Sequence, residues 1–309
     1  LQMGFHNKYI KHSKPYRKFI VFLKKLRFNN GQASVYDVLV VLINEMKLDS
    51  VTKRSSYMAY NFTLSIFPAI IFLFTLIPYI GGQDFNQNII DFLRDFMPPE
   101  MFTAAEGTIN DIVNQPRGGL LSVGFLFALV LSSNGIMALL DAFDKKYHTF
   151  RQRSYLKRRL IATVLTIVLA LILFISIAAI FFGTYILDAL VYYDIVTETS
   201  TYGLIQVLKY VVVVLLFLLA DCLIYYYVPA IQDKWPFVSA GAVVSTILIF
   251  LVSWLFSLYI SSFDTYNHLY GSIGALVGLM IWLDFVSMIL ILGFEINISI
   301  DTVTKRLEK

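Results

Sequence analysis

The chain alternates short amphipathic stretches with long apolar runs, and the long runs dominate. Six of them, residues 57–80, 119–143, 160–187, 204–228, 238–261 and 273–299, are each long enough to cross a hydrocarbon core roughly 30 Å thick. They predict an all-α polytopic membrane protein with six transmembrane helices. The third run is long enough to need tilt or to project beyond the bilayer. Ahead of the first run, residues 14–28 place Phe19, Ile20, Phe22, Leu23 and Leu26 among six cationic residues, the pattern of a basic amphipathic helix. Asn29-Asn30-Gly31 breaks it. Ser34 and Asp37 then offer a capping box, and Val35, Val38, Leu39, Leu42, Ile43 and Met46 recur at helical spacing. Residues 35–48 are therefore expected to form a second amphipathic helix, packed beneath the bundle. Between the first two spans, residues 84–117 carry two amphipathic patterns separated by Pro98-Pro99, which predicts a helical hairpin.

Charge supplies the orientation. Lysine and arginine number eleven in residues 1–56, seven in 144–159, one in 229–237 and three in 300–309, against two in 81–118 and none in 188–203 or 262–272. An asymmetry of twenty-two to two predicts cytoplasmic N and C termini and an external hairpin at 84–117. The expected organisation is a basic N-terminal segment (1–56), a transmembrane domain (57–299) and a short cytoplasmic tail (300–309). Leu1-Gln2 ahead of Met3 reads as an added remnant, and no cleavable signal peptide is expected. The composition agrees: 58% of residues are hydrophobic, 15% are charged and the mean hydropathy is +0.69, whereas a soluble domain is about a quarter charged. The single cysteine, Cys222, lies in an apolar run and excludes an internal disulfide. No Cys/His cluster calls for a metal or another cofactor.

Polar residues inside the spans are the candidate chemistry. Asp284 and Glu295, eleven residues apart, return to nearly the same helical face, with Met288 and Ile291 between them. Carboxylates at such depth must face other helices or a wet cavity. Gly271, Gly274 and Gly278 form a small-residue face suited to close helix packing. Asn134 and Asp141 share a face of the second span. The plainer reading pairs Asp141 and Asp144 with Lys145 or Lys146 at a solvated helix end. Asp221 lies towards the inner end of the fourth span, and a hydrogen bond to a neighbouring helix is its plainer reading. Thr246, Ser253 and Ser257, with Ser239 seven residues before Thr246, form a stripe along the fifth span, either helix glue or a cavity wall. Pro68 is expected to bend the first span, and Tyr60 stands nearby. A polar seam of Asp284, Glu295, Asp221, Asn134, Asp141, Ser253 and Tyr60 is thus the candidate site. The basic loop 151–159 suits anionic lipid headgroups, and nucleic acid is not an expected partner. Homo-oligomerisation is left open.

The last span, YGSIGALVGLMIWLDFVSMILILGFEIN, resembles the YihY/BrkB family of bacterial inner-membrane proteins. That family opens this span with Tyr-Gly-Ser-(Leu/Ile)-Gly, places Trp-Leu in the middle and ends with Gly-x-Glu-(Leu/Ile)-Asn. Residues 59–68 (AYNFTLSIFP), 154–166 (SYLKRRLIATVLT) and 224–246 (IYYYVPAIQDKWPFVSAGAVVST) match in order, so the likeness covers about residues 34–300. Glu295 fits the recurrent glutamate. Asp284 stands where the family pattern has an aromatic or apolar residue, so the resemblance assigns it no role. Members once carried the label ribonuclease BN, widely regarded as a misassignment, and some are linked to serum resistance or envelope lipid export. The resemblance therefore implies a membrane protein and is compatible with transport.

Three functions remain open on the sequence. A non-enzymatic transporter or flippase would use the intramembrane acids as relays, moving a lipid, a lipid-linked substrate or a solute. An envelope scaffold would use them as architecture. A metal-dependent ribonuclease needs clustered ligands, and His6, His12, His148 and His268 are scattered, so an enzyme is not expected.

Overall fold

A computed structural model describes residues 14–28, 33–48, 51–80, 87, 90–91, 94, 106–107, 120–144, 153–192, 199–261 and 264–307. In chain order its elements are α1 (Lys14–Lys25), β1 (Arg27–Phe28), β2 (Ala33–Ser34), α2 (Val35–Leu48), α3 (Val51–Ile80), α4 (Leu120–Phe143), α5 (Tyr155–Tyr192), α6 (Thr199–Tyr227), α7 (Ala240–Ser261) and α8 (Asp264–Leu307). The fold is all-helical apart from the two-residue antiparallel ladder β1–β2, which pairs Arg27 with Ser34 and Phe28 with Ala33. Among the described residues, five helices carry stretches long and apolar enough to cross a membrane: Leu126–Phe143, Tyr155–Ile180, Val207–Tyr227, Ala240–Tyr259 and Val277–Arg306. The first predicted span, 57–80, coincides with the C-terminal part of α3, a helix of 30 residues that runs without interruption through Pro68. Residues 87, 90, 91, 94, 106 and 107 of the predicted hairpin are helical. Arg94 there is exposed, 3.1 Å from Asp91 and 3.9 Å from Glu106. The rest of the hairpin lies outside the described residues.

The chain divides into two compact units, one of Leu1–Ser56 with Asp221–Lys309 and the other of Tyr57–Ala220. The first is built on α8. At 44 residues this helix is about 66 Å long at 1.5 Å per residue, roughly twice a hydrocarbon core. The predicted end near residue 299 falls short because no glycine or proline stops the helix there. The turn containing Ile300, Val303 and Thr304 has a buried face instead, and Val303 packs on Val38 of α2 with Val41 and Ile300 alongside. What reads as a free tail is thus a docked helix end. The predicted bounds of α2 are met, and its capping box forms: the Asp37 N–H donates to Ser34 Oγ at 3.1 Å, and Ser34 Oγ donates to Asp37 Oδ2 at 2.6 Å. The basic helix ends earlier than expected, at Lys25, because Arg27 and Phe28 enter the ladder that leads into this cap.

α7 crosses α8 at backbone contact. A Cβ on Gly241 would lie 2.1 Å from the Gly293 carbonyl oxygen, and one on Gly293 would lie 2.0 Å from Ser245 Oγ and 2.3 Å from the Tyr225 hydroxyl. Only glycine permits this approach, which is how small residues bring membrane helices together.

In the second unit, α4 and α5 run antiparallel. Ala128 and Leu129 pack against Ile167 and Ala170 at one level, and Asn134 meets Arg159 at another. Gly135 lets Phe62 and Ser65 of α3 approach, and Gly183 of α5 lies against the Lys209 stem of α6. Val164 and Leu171 of α5 and Leu208 and Leu215 of α6 are exposed, so these helices present apolar surface outward.

Gly241→Ala should lower the stability of the detergent-solubilised protein by about 3 kcal/mol, the upper end for overpacking, because backbone opposes the new methyl. Gly203→Ala, where nothing lies within 4 Å, should leave the thermal midpoint unchanged. Comparable midpoints for the two variants would refute the tight crossing.

Candidate functional site

The two acids singled out on the last span are met from one short stretch at the start of α3, all within the first unit. Arg54 Nη1 lies 3.0 Å from Glu295 Oε1, and the Glu295 side chain is buried to within 1%. Ser55 Oγ lies 3.1 Å and Ser56 Oγ 3.3 Å from Asp284 Oδ1. Ser55 Oγ is also 3.0 Å from the Thr52 carbonyl oxygen, so its single proton is shared between helix backbone and carboxylate. The eleven-residue spacing does what periodicity predicts: Asp284 and Glu295 turn to one neighbour. A guanidinium against a fully buried carboxylate offsets the cost of removing both charges from water, and the charge-assisted bond is stronger than a neutral one.

Next to this cluster is a neutral network across the α7–α8 crossing. The Tyr225 hydroxyl lies 2.7 Å from Ser245 Oγ and donates to the Leu290 carbonyl at 2.8 Å, while Ser245 Oγ lies 3.3 Å from the Ile289 carbonyl. Asn297 accepts from the Gly241 N–H at 2.8 Å and donates to Ser239 Oγ at 2.9 Å. The Gly-x-Glu-Ile-Asn run is therefore physically explained residue by residue. Gly293 admits the α7 backbone, Glu295 binds Arg54, and Asn297 ties α8 to the first turn of α7.

The remaining candidates separate. Asp221 accepts from Thr246 Oγ1 at 2.6 Å, and Ser253 Oγ accepts from Trp282 Nε1 at 3.1 Å. With Ser239 capping α7 through the Ala242 N–H, most of the fifth-span stripe acts as helix glue, and Ser257 is exposed. In the second unit Arg159 donates to Asn134 Oδ1 at 2.7 Å and to the Val130 carbonyl at 2.9 Å. Asp141 pairs with Arg158 and accepts from the Tyr57 hydroxyl at 3.3 Å, and Asp144 lies 3.5 Å from Arg158. Arg158 of the basic stretch is thus a partner of both acids, and Lys145 and Lys146 of the plainer reading lie outside the described residues. Burial pushes the Asp144 carboxyl above its ordinary range, while Arg158 and Arg153 pull it down. Tyr60 is exposed. Gly271 and Gly274 fall within α8, and Gly278 there is half-buried.

Sequence reasoning missed Arg54, Ser245, Tyr225, Gly241 and Arg159. The Gly241-x-x-x-Ser245 spacing was the available signal for the crossing. Nothing local marks Arg54, which reads as one of eleven cationic residues in its segment. Among the described residues, no three of His, Cys, Asp and Glu are placed to hold a metal ion.

Several long apolar helices with their polar groups paired between neighbours define a multi-pass membrane protein. The profile of the family described as Virulence factor BrkB matches residues 42–309, and the chain belongs to that family. It is 31% identical over 257 residues to the ribonuclease-like protein YfkH of Bacillus subtilis, covering 83% of this chain and 92% of that protein. It is 23% identical to a UPF0761 membrane protein of Actinobacillus pleuropneumoniae, over 82% of this chain and 89% of the relative. A UPF0761 membrane protein of Coxiella burnetii is 25% identical over 79% and 86% of the two chains. No solved structure matches the chain.

Arg54→Met leaves the Glu295 carboxylate buried without its guanidinium and should cost about 3–5 kcal/mol. Joining it to Glu295→Met should restore most of the loss. Thermal midpoints of the three purified variants check this, and a double variant as weak as the sum of the singles would argue against direct coupling.

Proposed function

We propose that this protein is a six-span transporter or flippase of the bacterial cytoplasmic membrane, with both termini inside, that moves an envelope-related amphiphile or solute without enzymatic chemistry. The observation that carries the reading is the clasp of Asp284 and Glu295 by Arg54, Ser55 and Ser56. Two acids on one helix, held by three consecutive residues of another, form a contact that protonation or a competing ligand can open. Residues 54–56 immediately precede the first predicted span. On the predicted orientation, that puts the clasp near the inner end of the first span. Anionic headgroups are the expected lipid partners of the basic segments, and the exposed Val21 and Phe22 of α1, Leu26 just after it, and Ile43 and Met46 of α2 suit contact with the membrane surface.

The scaffold reading has its own support. Asp221, Tyr225, Ser245 and Asn297 are all hydrogen-bonded between helices, as purely architectural groups would be. A nuclease draws less support, since the name of the Bacillus relative brings no ligand cluster to the described residues of this chain.

Flux in proteoliposomes separates transport from scaffold. A labelled anionic phospholipid should cross faster than in empty vesicles and respond to a pH gradient. Asp284→Asn and Glu295→Gln should cut the rate about tenfold or more while the protein stays folded. Unchanged flux in folded variants, or none in the wild type, would count against the clasp as a working part. Topology has a separate test, because Cys222 is buried. A membrane-impermeant maleimide should label Gly107→Cys in intact spheroplasts and Ser154→Cys only after permeabilisation. The reverse pattern would overturn the orientation.

A further inference from the structure

Arg159, in the first turns of α5, reaches onto the side of α4. Its Nη1 donates to Asn134 Oδ1 at 2.7 Å and its Nη2 to the Val130 carbonyl at 2.9 Å. Both acceptors belong to the apolar stretch Leu126–Phe143, and all the residues concerned lie within the second unit. Neither acceptor carries a charge. Among the described residues no carboxylate pairs with Arg159, whereas its neighbour Arg158 pairs with Asp141 and lies 3.5 Å from Asp144. A cation among span residues is costly unless an opposite charge answers it. The two bonds to α4 orient the guanidinium without neutralising it.

The group remains within reach of a ligand. A guanidinium has five N–H donors, and α4 takes two of them. Arg159 is half-buried, and none of its nitrogens is sealed beneath other atoms without an acceptor, in contrast to Arg158 Nε. The donors that are left suffice for the two parallel bonds by which an arginine engages a phosphate.

The surface beside Arg159 is apolar and uncovered. Phe127 and Val130 of α4 and Leu160 and Val164 of α5 are exposed. Because α4 and α5 are antiparallel, both pairs extend from the guanidinium in one direction, towards the level where Leu129 packs with Ile167 and Ala170. An acyl chain attached to a phosphate at Arg159 would follow that course. Such a surface lies against acyl chains in a bilayer, and a free oxyanion would have to leave water to reach it. Charge sets the class of lipid. Arg153, Lys157, Arg158 and Arg159 outnumber Asp141 and Asp144 at this end of the helix pair. A headgroup with its own ammonium preserves that excess, whereas a net anionic one reduces it.

We propose that the α4–α5 face holds one anionic phospholipid, with its phosphate on Arg159 and an acyl chain along Phe127, Val130, Leu160 and Val164. The site is separate from the acid clasp and does not depend on the transport reading, since retention of a lipid is measured without flux.

The test is native mass spectrometry of the delipidated full chain in detergent, with thermal midpoints measured alongside. The probes are phosphatidylglycerol, phosphatidylcholine and inorganic phosphate. The wild type should retain one phosphatidylglycerol and gain about 3 °C or more in midpoint. Phosphatidylcholine and inorganic phosphate should bind at least about tenfold more weakly. Arg159→Gln should weaken phosphatidylglycerol about tenfold or more. Lys157→Gln removes an exposed charge two residues away and should cost about threefold at most. Asn134→Asp places a carboxylate at the Nη1 contact. It should weaken the lipid about tenfold yet leave the unliganded midpoint no lower than that of the wild type, which keeps the test decisive should Arg159→Gln not fold. Equal losses in Arg159→Gln and Lys157→Gln, undiminished binding by Asn134→Asp, equal retention of the two lipids, or no retained lipid would overturn the proposal. Inorganic phosphate binding as tightly as phosphatidylglycerol would overturn it too, by making this an ion site rather than a lipid site.

Discussion

The contact on which the first unit depends is the backbone approach of α7 to α8 at Gly241 and Gly293. Helices in lipid gain little from burying apolar side chains against one another, because the solvent is equally apolar. Close packing and interhelical hydrogen bonds must hold them. Removing two Cβ atoms brings the helices near enough for Tyr225, Ser245 and Asn297 to reach backbone groups across the gap. Each of these polar groups would be costly in hydrocarbon if unpaired, so the crossing and its network stand or fall together.

The same constraint orders the charged residues. Glu295 is fully buried two residues from Gly293 of the crossing, and it is tolerated there because Arg54 reaches it. Asp284 shares the arrangement through Ser55 and Ser56. In the second unit, Arg158 and Arg159 perform an equivalent task for Asp141 and Asn134. Basic residues next to the spans are thus more than a diffuse charge. They enter the helix ends as specific partners, and a segment that charge counting treats as uniform contains residues with separate structural duties.

α8 illustrates how a membrane helix can serve two environments. Its length is about twice a hydrocarbon core, and its C-terminal end packs against α2 and pairs Lys305 with Asp233 of the α6–α7 turn. The buried Val38 and Val303 pair converts a sequence tail into part of a folded body.

Five of the predicted spans, the helical class and the capped helix α2 were legible in the sequence alone. Each is set by local physics: run length against bilayer thickness, a 3.6-residue period, or a Ser34–Asp37 pair three residues apart. The shared face of Asp284 and Glu295 was legible for the same reason. Which residues meet those acids was not. Arg54 and Glu295 are 241 positions apart, Tyr225 and Leu290 are 65 apart, and no periodicity connects them. The end of α8 also escaped, since only packing against α2 keeps residues 300–307 helical where the apolar run has stopped. Local sequence determined which segments become helices and which faces carry polar groups. Only the tertiary structure decided which of those faces meet, because pairing across long sequence separations follows from how closely the helix backbones approach.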